Sequence, residues 1–125
     1  MWRILFLINL TVILTSAQRS PTISYISQEQ IKDIGGSVDF ACSIQYAEDY
    51  PVYWTKIDRA KSVEPVPISA GTSKILKDSR FRVRFTQDTS TYVLHIQDIQ
   101  ETDAGFYRCQ IATSSANGVS TELIH

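Results

Sequence analysis

Histidine and cysteine are scarce in this chain. Its 125 residues hold two of each: His95, His125, Cys42 and Cys109. Two isolated histidines and a single cysteine pair do not offer the spaced ligand sets of a metal site. No Gly-x-Ser-x-Gly elbow and no Gly-rich phosphate loop occurs. An enzyme needs a nucleophile, a base and an orienting group in one cleft. No such set stands out, so no catalytic residue, small-molecule substrate, metal or cofactor is expected. An excess of one charge is missing too. Twelve Lys and Arg stand against 13 Asp and Glu, a net of −1. That balance excludes the strongly basic face a nucleic acid requires. Sustained helical periodicity, internal repeats and low-complexity tracts are absent as well.

Only one long apolar run is present, over residues 4–14, behind the basic start Met1-Trp2-Arg3. At about 11 residues it is shorter than the roughly 20 of a spanning helix. Thr15-Ser16-Ala17 follows with small residues at the last and third-from-last places before a cut. This order of charge, apolar run and small-residue exit reads as a secretory signal peptide over residues 1–17. Residues 18–125 are then one domain's worth of chain. The sole Asn-x-Ser/Thr sequon, at Asn9, falls within the leader. Secretion also gives the cysteines a meaning. In an oxidising compartment a lone pair reads as a disulfide. Cys42 and Cys109 are 67 positions apart, and closing so long a loop stabilises a fold by roughly 4 kcal/mol by chain-entropy reasoning.

Turn signals punctuate the rest: Gly35-Gly36, Glu48-Asp49-Tyr50-Pro51, Ala70-Gly71-Thr72 and Asn117-Gly118. Between them apolar and polar residues alternate. Val38, Phe40, Cys42 and Ile44 share one parity. Phe81, Val83 and Phe85 alternate with Arg80, Arg82 and Arg84, and Tyr92, Leu94 and Ile96 with Val93, His95 and Gln97. Period two means strands with one buried face. Many short strands at this spacing mean an all-β sandwich or barrel.

Trp54 follows Cys42 by twelve residues, and Cys109 closes the run Asp103-Ala104-Gly105-Phe106-Tyr107-Arg108-Cys109. This set resembles an immunoglobulin domain. The resemblance implies an all-β, two-sheet Greek-key sandwich with one inter-sheet disulfide. Trp54 would pack on that bridge, Tyr107 would form the tyrosine corner, and Gly105 would serve a tight turn. It further implies an ion pair between Arg80 and Asp103. The stretch between Trp54 and Arg80 has room for two extra strands, around Val66-Pro67-Ile68 and Lys74-Ile75-Leu76. That favours the variable-type arrangement, with residues 21–33 supplying a kinked first strand and residues 119–125 the last.

Ser27-Gln28-Glu29-Gln30-Ile31-Lys32-Asp33-Ile34-Gly35-Gly36-Ser37-Val38, Lys77-Asp78-Ser79-Arg80-Phe81 and residues 96–105 resemble the lachesin group of insect adhesion proteins. The resemblance implies the first domain of a longer extracellular protein, secreted or held on the outer membrane face by an anchor outside this chain. Its partner would be an immunoglobulin-superfamily cell-surface protein, or a second copy of itself. The face implied is the sheet carrying strands G, F, C and C′ of the family's pattern. With Trp54 and Cys109 pointing inward, parity places Tyr53, Thr55, Ile57, Arg108, Gln110 and Ala112 outward, with Val66 or Ile68 beside them. A soluble recognition or decoy protein is the alternative on the same fold. Lys74, Lys77, Arg80, Arg82 and Arg84 form a basic stretch suited to an acidic polysaccharide, although Asp78 interrupts it.

Overall fold

The computed structural model describes residues 19–58, 60, 63–113 and 116–125. The expected leader and its cut site after Ala17 lie outside them. Among the described residues ten strands form: β1 (Thr22–Ile26), β2 (Gln30–Ile31), β3 (Val38–Gln45), β4 (Val52–Ile57), β5 (Val66–Ala70), β6 (Ser73–Lys74), β7 (Phe81–Thr86), β8 (Thr91–Ile96), β9 (Gly105–Ala112) and β10 (Ala116–Ile124). They make two sheets. One has four strands in the order β1-β3-β8-β7, the other six in the order β2-β10-β9-β4-β5-β6. Pairing is antiparallel except where β2 runs parallel to the end of β10, Gln30 opposite Leu123 and Ile31 opposite Ile124.

The period-two patterns decide which sides close on each other. Val38, Phe40, Cys42 and Ile44 of β3 are buried, as are Gly105, Tyr107, Cys109 and Ile111 of β9. Their polar alternates face water. Trp54 is wholly buried, opposite Cys109 in the β4–β9 ladder. The Cys42–Cys109 disulfide joins the sheets across a Cα–Cα distance of 6.4 Å. The Phe40 and Tyr107 rings stack at 5.3 Å. Leu94, Ile96, Ile99 and Leu123 complete the centre of this core.

One pole is fastened by polar bonds. Asp103, 3% exposed, accepts two hydrogen bonds from Arg80, 2.5 Å from Nη1 and 3.0 Å from Nη2. The Gln100 backbone N–H donates to the same carboxylate at 2.8 Å. The Tyr107 hydroxyl donates to the Asp103 carbonyl at 2.5 Å, forming the expected tyrosine corner. Burial, reinforced by Asp103, pushes the Tyr107 phenol well above its ordinary pKa, so it remains a donor. Gly105 opens β9 at φ +144°, where a Cβ would stand 3.3 Å from the Ile57 carbonyl.

Several local expectations need correction. Asn117 and Gly118 are in strand, opposite Ile111 and Gln110. The last strand accordingly begins three residues earlier than its expected Val119. Only Ser73–Lys74 of the region around Lys74-Ile75-Leu76 is strand. The Ile75 and Leu76 N–H groups both donate to the Ile68 carbonyl instead. Ile68 itself is fully buried. A bulge between Trp54 and Thr55 leaves it as an extra residue in β5 and turns it into the core.

Candidate protein-binding face

Ladder registers place the outward residues of β4, β9 and β10 in three rows. Tyr53 lies beside Gln110, and Gln110 beside Gly118. Thr55 lies beside Arg108, which lies beside Ser120. Ile57 lies beside Phe106, which lies beside Glu122. Ala112 continues β9 above the first row, opposite Ala116. Tyr53, Thr55, Ile57, Arg108, Gln110 and Ala112 are all partly exposed. The structure thus brings the six expected residues onto one surface.

Parity read from Trp54 and Cys109 explains this, because directly opposed residues in a ladder share a side. The same parity should have flagged Phe106, one position before the corner tyrosine, and it did not. On β5 the bulge moves the outward place to Pro67, the ladder partner of Thr55. Val66 is exposed but pairs with Lys56, whose parity is that of Trp54.

Gly118 has a packing role that a turn glycine would not have. The Arg108 side chain lies across it: a Cβ at 118 would sit 2.3 Å from Nε and 2.7 Å from Nη2. Among the described residues no hydrogen bond or ion pair engages that guanidinium. The face therefore combines an aromatic and aliphatic surface with the Arg108 cation. Aromatic residues and arginine are the types enriched at the centres of protein interfaces.

The basic stretch is differently occupied. Arg80 is bonded to Asp103 and to Asp78. Lys74 Nζ donates to the Asp78 carbonyl at 2.7 Å, and Arg84 stands 3.6 Å from Asp39. His95 meets the other Asp39 oxygen at 2.6 Å. Much of the basic stretch is thus committed within the chain. Among the described residues no group of His, Cys, Asp and Glu is placed to hold a metal ion. None of their helices is long and apolar enough to cross a membrane.

Known proteins place this architecture. Lachesin of Schistocerca americana is 61% identical over 107 residues, covering 86% of this chain and 31% of that protein. Lachesin of Drosophila melanogaster is 55% identical over 109 residues, covering 87% and 29%. The chain thus spans about a third of the length of these curated relatives. Among solved structures, the RIG-5 IG1 homodimer matches with a TM-score of 0.75 at 25% identity, covering 85% of this chain and 97% of that one. The complex of Dpr2 Ig1-Ig2 with DIP-Theta Ig1-Ig3 shares the fold, with a TM-score of 0.74 at 22% identity over 85% of this chain and 47% of that one. The immunoglobulin V-set domain family model matches residues 27–124. With both sheets, the disulfide and the tyrosine corner in place, the chain belongs to the immunoglobulin V-set domain family.

Proposed function

We propose that this domain is an extracellular adhesion or recognition module that binds another immunoglobulin domain through the outward face of its six-stranded sheet. In this reading residues 1–17 are removed on secretion, and residues 18–125 are one domain of a longer adhesion protein of the lachesin kind. It is not an enzyme. The observation that carries the reading is the three-row surface of β4, β9 and β10, where Tyr53, Ile57, Phe106 and Arg108 stand together. The RIG-5 IG1 domain, similar in fold and 25% identical, is a homodimer in its crystal. Single domains of this size bind weakly, and arrays on a membrane compensate by multivalency. The test is therefore a clustered one. The secreted chain is coupled densely to beads and presented to cells carrying the full-length protein. Tyr53→Ala and Ile57→Asp should abolish capture while leaving secretion normal, since neither side chain is in the core. Arg82→Glu on the other sheet should have no effect. Loss of capture in Arg82→Glu alone would move the binding surface to the opposite sheet.

A further inference from the structure

Glu48-Asp49-Tyr50-Pro51 turns the chain, but a turn needs no such order of residues. Tyr50 is the one tyrosine of six with a carboxylate directly before it, and Glu48 adds a second one place earlier. The segment lies between β3 and β4, outside both sheets. The Tyr50 N–H donates to the Ala47 carbonyl at 3.0 Å, which puts Glu48 and Asp49 at the two central places of the turn. Both are exposed, and Tyr50 keeps 41% of its surface in water. Among the described residues no hydrogen bond or ion pair engages the Tyr50 hydroxyl or either carboxylate.

The other tyrosines lack this combination. Tyr107 is buried, and Tyr53 and Tyr92 are half-buried on strands. The Tyr46 hydroxyl accepts a hydrogen bond from Arg19, whose guanidinium lies 5.2 Å from the centre of the Tyr46 ring. Tyr25 is 53% exposed, but its nearest carboxylate in sequence is Glu29, four residues on.

A free phenol beside two carboxylates, on a chain read as secreted, is suited to accept a sulfuryl group. The donor is a nucleotide phosphosulfate. It is polyanionic, so the transferase that holds it presents a basic cleft. Two unpaired carboxylates beside the phenol steer it into such a cleft. The phenol oxygen attacks the sulfur and forms an O–S bond. The bond from sulfur to the bridging phosphate oxygen breaks, and the nucleotide leaves as the phosphate. The phenol proton passes to a base of the transferase, and nothing is oxidised or reduced. The ester has a seat on the domain. Arg19 lines the same shallow cleft as Tyr50, with Ser20, Pro21, Tyr46 and Asp49. A guanidinium–sulfate hydrogen bond there is charge-assisted.

We propose that Tyr50 is a tyrosine-sulfation site, recognised through Glu48 and Asp49. The proposal rests on the secretion reading above and is independent of which face binds a partner.

Mass spectrometry of the chain secreted from cells with a Golgi apparatus tests this. The intact protein should carry one added SO3. Electron-transfer fragmentation, which keeps the ester, should place it on Tyr50 and not on Tyr25, Tyr46 or Tyr53. Tyr50→Phe should be secreted normally without the increment. Chlorate, which blocks synthesis of the donor, should remove the increment from the wild type. Glu48→Gln with Asp49→Asn should lower the modified fraction about tenfold or more, while Tyr25→Phe leaves it unchanged. A wild-type chain in the medium without the increment overturns the proposal. So does an increment that a phosphatase removes, which marks a phosphate ester, or a double carboxylate variant modified as fully as the wild type. A chain that never reaches the medium overturns the secretion reading as well, and that failure is seen before any mass is measured.

Discussion

Asp103 and Arg80 meet fork to fork, both guanidinium nitrogens on both carboxylate oxygens, at 2.5 and 3.0 Å. The carboxylate is buried and the guanidinium nearly so. Such a pair is a weak net stabiliser when both members are present and a strong destabiliser when one is removed. Asp103→Ala or Arg80→Ala should therefore each cost about 3–5 kcal/mol. The double variant should cost clearly less than their sum, which urea unfolding of all four proteins will show. Strict additivity would make the two residues independent.

Acid should find the same place. Burial works to raise the Asp103 pKa, but the hydrogen bonds of Arg80, the Gln100 N–H and the charges of Arg80 and Lys56 outweigh it and hold the carboxyl below its ordinary value. A depressed folded-state pKa adds stability above the unfolded value of about 4, and loses it as pH falls through the folded one. Unfolding free energy should thus decline with acidification below about pH 4. In Asp103→Asn that part of the decline should vanish; an unchanged profile would place the acid sensitivity elsewhere.

The disulfide closes most of the domain into one loop. Replacing Cys42 and Cys109 together by Ala should lower stability by about 2–5 kcal/mol. Peptide mapping without reduction should recover the two cysteines in a single linked pair. Two alkylatable thiols in the folded, secreted protein would contradict the bridge.

Gly105→Ala should cost about 1–3 kcal/mol in thermal or urea unfolding, since φ is +144° and the Ile57 carbonyl is close by. Gly118→Ala should cost much less, because only the Arg108 side chain needs to move. Equal losses at the two glycines would show that backbone conformation does not distinguish them.

Much of this geometry was legible in the sequence. Cys42, Trp54 and Cys109 fix which parity of β3, β4 and β9 is buried, and everything on the opposite parity follows without long-range information. The Arg80–Asp103 pair and the tyrosine corner were readable because short motifs carry them. What escaped was decided by single residues against their surroundings. Ile68 sits in a bulge, where one extra residue reverses parity, and nothing local announces that. Asn117-Gly118 has the composition of a hairpin turn, yet the ladder to Ile111 and Gln110 draws it into strand. Arg108 was readable as outward-facing, but its lean onto Gly118 depends on a neighbour across the sheet. That detail lies beyond any reading of one strand at a time.

The strand directions carry a mechanical consequence. Thr22 pairs with Gln45 at one pole, and Ile124 pairs with Ile31 at the other. Tension between the two ends therefore pulls β1 lengthwise along β3 and β10 lengthwise along β9. Whole rows of hydrogen bonds resist such sliding together, whereas peeling would break them one at a time. If those rows give way, the Cys42–Cys109 bridge still excludes the 67-position stretch between its sulfurs from the force path. Under load the domain can lengthen only by the segments outside the bridge, so it stretches without unravelling the stretch between the sulfurs.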